Sequence, residues 1–152
     1  GRVAKYGAMT FSYNNEGYLA RALEVNGPHS TDIGFTYQNG NLVRVNQVGH
    51  YGGPQPLTTT LLFEYDAAAE AVSTIPPGDP LNAFGSARSI LASYFGKGSK
   101  NLVKKETAKT SNSPDEVRTH TYTRDSKGNI TSVRTAVSDG RVGEKRLTYG
   151  CK

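Results

Sequence analysis

At 152 residues the chain is long enough to bury a core in one piece, and 36% hydrophobic content with 17 glycines and 9 tyrosines suits a β-rich domain with many turns. No run approaches the roughly 20 apolar residues a membrane helix needs, so a helical span is excluded. A formal net charge of +5 is too modest to argue for nucleic acid, and one cysteine, Cys151, excludes an internal disulfide and a cysteine-built zinc site.

The chain opens on Gly1-Arg2-Val3 without a signal peptide, a start expected of a trimmed chain whose export signal has been removed. A short first strand near Tyr6 leads into a phrase that recurs: aromatic, spacer, aromatic, polar turn, new strand. It reads Phe11-Ser12-Tyr13-Asn14-Asn15-Glu16-Gly17-Tyr18-Leu19, then Phe35-Thr36-Tyr37-Gln38-Asn39-Gly40-Asn41-Leu42, then Phe63-Glu64-Tyr65-Asp66 with an alanine-rich turn. It returns as Tyr122-Thr123-Arg124-Asp125-Ser126-Lys127-Gly128-Asn129-Ile130, and a truncated copy ends in Leu147-Thr148-Tyr149. Residues two apart in a strand share a face, so each ring pair lies on one side of a sheet. Asn39-Gly40 is a strong two-residue hairpin signal. Each copy is half of an antiparallel pair.

After the first turn, alternation puts Leu19, Arg21, Leu23 and Val25 opposite Tyr18, Ala20, Ala22 and Glu24. In the second copy it puts Leu42, Arg44, Asn46 and Val48 opposite Val43, Val45 and Gln47. Both faces then carry apolar groups, which predicts a sheet covered on both sides or curled around a cavity. Asn26 to Ser30 reads as a loop, and Gly49 to Pro56 as a longer one holding His50 and Tyr51 between glycines. A histidine and a tyrosine on a loop rim suit hydrogen bonding to and stacking on a sugar, and arginines suit the same ligand. His50, Tyr51, Arg21 and Arg44 are therefore the candidate ligand-binding residues.

Leu57 to Tyr65 is strongly β-prone, and Ala71 to Ile75 is its expected short partner. Asp79 is placed to cap a helix starting at Pro80, and Phe84, Ala87, Leu91, Tyr94 and Phe95 follow at helical spacing until Gly96. One α-helix over about residues 80–95 is predicted, packed on or in the sheet. Asn101 to Thr110 reads as a strand, Ser111 to Asp115 as a turn, and Val117 to Arg124 with Asn129 to Ser138 as a hairpin. Asp139-Gly140 turns the chain again, and Glu144 to Cys151 is the last strand. The step from Phe63 to Tyr122 is about double the others, which helix and extra strand together explain. The fold class expected is mainly β: an antiparallel meander of about ten strands, as a curled sheet or partial barrel, with that helix. It forms a single domain over residues 1–152 with a helix-containing insertion at about 76–110.

Catalytic signatures are sparse. His29, His50 and His120 have no shared ligand spacing, so no metal site and no cofactor are expected, and no nucleophile elbow or phosphate-cradling loop occurs. The lysines at 97, 100, 104, 105 and 109 read as a solvated edge. Glu64 and Asp66 share a strand face beside Tyr65 and are the acids a glycan-active hydrolase would use; Glu16 with Asp32, and Asp115 with Glu116, are further pairs.

The recurring phrase resembles the YD-type repeat of large secreted bacterial shell proteins. The order of the Phe-x-Tyr strands, Asp79-Pro80-Leu81-Asn82, Gly98-Ser99-Lys100-Asn101-Leu102 and the late Tyr122 to Ile130 hairpin resembles a family of exported, lipoprotein-like proteins of Gram-negative gut commensals. That family is a domain of unknown function with a porin-like fold. The resemblance implies export to the periplasm or cell surface from a lipid-anchored precursor, and a curved sheet around a helix; it implies no catalytic residues. The chain departs from the phrase at Arg124, which replaces the second aromatic, and at Ala67-Ala68-Ala69, which replaces the glycine turn. The function expected is a non-enzymatic envelope protein whose groove binds a glycan, an apolar ligand (a lipid) or an envelope-protein partner. A structural or assembly module and the hydrolase are the alternatives.

Overall fold

The computed structural model describes residues 4–70 and 97–147. They form ten strands: β1 (Lys5–Tyr6), β2 (Met9–Tyr13), β3 (Leu19–Asn26), β4 (His29–Gln38), β5 (Asn41–His50), β6 (Leu57–Glu70), β7 (Asn101–Thr110), β8 (Ser113–Arg124), β9 (Ile130–Val137) and β10 (Val142–Arg146). All ten join one open antiparallel sheet in sequence order, β1 at one edge and β10 at the other. This corrects the expected fold class. The described residues are all β and contain no helix, the sheet order is not closed into a barrel, and the helix expected over 80–95 lies outside the described residues. No helix among them is long and apolar enough to cross a membrane.

The turns follow their chemistry. Asn39 and Gly40 take φ of 52° and 80°, the two left-handed residues that match hairpin twist. In the fourth hairpin Asp125 Oδ1 accepts the amides of Lys127 and Asn129, both at 2.9 Å, and Gly128 turns the chain at φ 85°. Asn14 does the same in the first hairpin, its Oδ1 accepting the Tyr18 amide at 2.9 Å. Three expected loops are shorter than read. Only Gly27 and Pro28 separate β3 from β4, Ser113 to Asp115 already belong to β8, and the alanines at 67–69 continue β6 instead of turning.

The two faces are set by a device that plain alternation misses. Each hairpin has a bulge beside the second residue of its ring pair. Ser12 pairs with Arg21 but Tyr13 with Leu19, and Thr36 with Arg44 but Tyr37 with Leu42. Glu64 pairs with Lys105 but Tyr65 with Val103, and Thr123 with Ser132 but Arg124 with Ile130. The extra residues are Ala20, Val43, Lys104 and Thr131. Each lets the preceding aliphatic residue cross to the face of the rings, so Leu19, Leu42, Val103 and Ile130 are all buried, at 0, 1, 2 and 4% exposure. That overturns the expectation that both faces are apolar alike. One face, called inner here, carries Ala22, Ile33, Phe35, Val45 and Phe63, with Met9, Phe11, Tyr13, Tyr37, Leu61 and Tyr65 packed against them. A smaller cluster of Leu102, Ile130 and Val133 continues the core under β7 to β9.

The return segment ahead of β7 is tied to the second hairpin. Asn41 Nδ2 donates to Asn101 Oδ1 at 2.9 Å while Asn101 N donates to Asn41 Oδ1 at 2.8 Å, and Leu42 N donates to Ser99 Oγ at 3.2 Å. Tyr65 Oη donates to Leu42 O at 2.7 Å, and Lys100 N donates to Gly40 O at 2.9 Å. Asn41, Ser99 and Asn101 are buried yet satisfied, as buried polar groups must be. β6 pairs with β7 across the double-length step, and the short strand expected at Ala71 to Ile75 lies, like the helix, outside the described residues.

Candidate functional site

The opposite, outer face is the open one. Registered rows run across it: Arg21, Gly34, Asn46, Thr60 and Lys109 in one, Thr36, Arg44, Leu62 and Thr107 in the next. Residues in one row point the same way because paired residues share a face and alternate residues repeat it. Arg21 meets Asp32 in a fork: Nε donates to Oδ1 at 2.8 Å and Nη2 to Oδ2 at 2.6 Å. These hydrogen bonds raise the arginine's pKa and hold the Asp32 carboxyl below its usual range.

Arg44 is held differently. Its Nε donates to Asn46 Oδ1 at 2.9 Å, and Thr60 Oγ1 donates to the same oxygen at 3.0 Å. A guanidinium has only donors, so the amide must present its oxygen to Arg44, which turns its NH₂ group away from that contact. Gly34 lies between these two arrangements, and a β-carbon there would meet nothing within 4 Å. The result is an open floor on the strand backbone with Arg21–Asp32 on one side and Arg44–Asn46–Thr60 on the other. Asp32, Asn46 and Thr60 were not among the residues singled out as ligand-binding; parity along β5 relates Asn46 to Arg44, whereas Asp32 and Thr60 reach the site only through the pairing of neighbouring strands.

Of the four candidate residues, two come together here. Arg21 and Arg44 sit two strands and one row apart, about 12 Å by strand spacing. His50 shares the outer face, exposed and paired with Ser30, but six residues along β5 from Arg44, about 20 Å away. Tyr51 is separated from it. Its ring lies where a side chain on Gly49 would be, and its hydroxyl is 3.3 Å from Thr31 Oγ1, so it caps the inner side of the strand ends. The acids Glu64 and Asp66 are exposed. Glu64 pairs with Lys105 at 2.8 Å, and Asp66 Oδ1 accepts the Ala68 amide at 3.1 Å.

Other titratable groups gather on the inner face of β7 and β8. Arg118 bridges Glu106 at 3.2 Å and Glu116, and Arg141 in the β9–β10 turn reaches Glu116 at 2.8 Å and Asp139 at 2.6 Å. Burial pushes the Glu106 carboxyl up against the pull of Arg118. Burial, then Arg118, pushes the His120 imidazole down; its Nδ1 is 3.0 Å from Thr135 Oγ1 while Nε2 is buried without a hydrogen-bond partner. No group of three or more potential metal ligands forms among the described residues.

Comparison with known proteins bears on the fold. A porin-like protein from Bacteroides vulgatus ATCC 8482 superposes with a TM-score of 0.66 at 10% identity, covering 93% of this chain and 65% of that one. A porin-like protein from Bacteroides uniformis ATCC 8492 gives 0.52 at 22% identity, covering 90% of this chain and 56% of that one. The chain thus spans less than two thirds of the length of either. No curated protein matches the sequence. Residues 2–132 match the family described as a domain of unknown function (DUF4595) with porin-like fold, and the chain belongs to that family.

Proposed function

We propose that the chain is a non-catalytic binding module of an exported protein, acting in the periplasm or at the cell surface, and that its open sheet face holds a glycan. One observation carries the reading. The rings and the buried aliphatic side chains of the larger cluster lie on the inner face, whereas the outer face, which also carries Leu23, Val25, Val48 and Leu62, presents guanidinium, amide, carboxylate and hydroxyl groups around the bare backbone at Gly34. Such an array suits a ligand rich in hydroxyls better than an apolar one, because each polar group needs a partner when water leaves. The hydrolase reading has less support, since Glu64 is drawn to Lys105.

The test is thermal stability of the full chain against a panel of soluble polysaccharides. A ligand at a hundred times its Kd adds about 2.7 kcal/mol to the folded state, a readily measured rise in Tm. At least one glycan class is expected to raise Tm, and Asn46→Ala with Thr60→Val should reduce that rise. No shift with any member of the panel overturns the reading.

A further inference from the structure

The outer-face cations differ in one respect. Arg21, Lys105 and Lys109 each share a carboxylate, at 2.6, 2.8 and 2.7 Å. Arg44 is oriented through Nε by a neutral amide, and among the described residues no carboxylate partner is recorded for it. Its Nη side therefore keeps a full positive charge in a fixed plane. A guanidinium edge of that kind accepts a carboxylate or sulfate as a two-pronged fork, with geometry a lysine does not match.

We propose that Arg44 recognises an anionic group on a sugar residue, a carboxylate or a sulfate ester, seated over Gly34. This rests on the glycan reading and narrows it to acidic glycans. A pyranose ring laid on the open floor at Gly34 has Asn46 in the same row and Asp32 in the row to one side for its hydroxyls, and Arg44 in the row to the other side for its charge. Asp32 does not repel the anion strongly, because Arg21 already neutralises it.

Calorimetric titration of the full chain with matched pairs tests this: dextran against dextran sulfate, and methyl-esterified against de-esterified polygalacturonate. The acidic member of at least one pair should bind at least tenfold more tightly, and which pair responds tells sulfate from carboxylate. Arg44→Gln should remove that preference, so that the acidic and neutral members of a pair bind alike, and Arg44→Lys should restore only part of it. Arg134, an exposed arginine on the outer face of β9, serves as the control for bulk charge. The proposal falls if Arg134→Gln loses as much affinity as Arg44→Gln, or if Arg44→Gln binds like wild type. Equal binding of neutral and acidic members removes this inference and leaves the glycan reading standing, whereas no binding by either removes both.

Discussion

The second and fourth hairpins put different chemistry at the same points of one repeated phrase. Two residues before the first aromatic stand Met9, Ile33 and Leu61 in the first three copies and His120 in the fourth; two further back stand Thr31 and Thr59 where the fourth has Arg118. Around Ile33 and Phe35 the inner face is an apolar cluster reaching from β2 to β7. Around His120 the buried aliphatic set shrinks to Leu102, Ile130 and Val133, and a chain of charges from Glu106 through Arg118, Glu116 and Arg141 to Asp139 takes up the rest. The same backbone accepts either filling. What changes is the kind of energy at stake: transfer from water in one half, desolvation offset by pairing in the other.

Substitutions that exchange the two chemistries measure the contrast. Phe35→Ala should cost the most, about 3–5 kcal/mol by denaturant unfolding, since it opens a cavity in the larger cluster. A loss near 1 kcal/mol would show that cluster to be loosely packed. Arg118→Thr, which restores the residue type of the second and third copies, should cost about 1–2 kcal/mol by leaving Glu106 unpaired; the half-exposed arginine keeps the figure below that of a fully buried pair.

His120→Ile, the counterpart of Ile33, should stabilise by about 1 kcal/mol at neutral pH because it removes a buried nitrogen with no partner. It should also alter the pH profile. The folded-state pKa of His120 lies below its ordinary 6.5, so its contribution is present above 6.5 and lost as pH falls through the folded value. Glu106 has the opposite sign: its pKa is raised, so its contribution is present below its ordinary 4.5 and lost as pH rises through the elevated value. Acidifying from neutral to about pH 5 therefore sets a loss at His120 against a gain at Glu106, and the His120→Ile variant, which keeps only the gain, should show a more positive change in Tm over that range than the wild type. Equal slopes in the two proteins would mean that the acid sensitivity originates elsewhere. Smallest of all, Asp32→Asn on the outer face should leave Tm nearly unchanged, since its pair with Arg21 is exposed and screened.

The strands were legible because ring pairs at period two and turn residues such as Asn39-Gly40 act locally. Asn101–Thr110 forms a strand with the bounds read from its alternation. Faces were legible only up to each bulge. Counting from Arg21 or Arg44 by twos puts Leu19 and Leu42 outside, and nothing local in Ala20 or Val43 announces the extra residue; it shows only when the partner strand is laid beside it. Arg21 and Arg44 could be named from alternation, whereas the Asp32 fork and the Asn46–Thr60 clamp depend on cross-strand register, which one strand does not encode. His50 and Tyr51 looked paired because they are adjacent, and adjacency along a strand end is what sends neighbours to opposite sides.

The recurring bulge also makes spacing, as much as composition, a condition of burial in each hairpin. Removing Val43 alone would realign Leu42 with its partner by plain alternation and turn a side chain now 1% exposed toward solvent, although no apolar residue had been lost. The same single-codon deletion at Ala20 or Thr131 would do it to Leu19 or Ile130. Exchanging one aliphatic for another at these sites should therefore disturb the core far less than dropping the residue beside them.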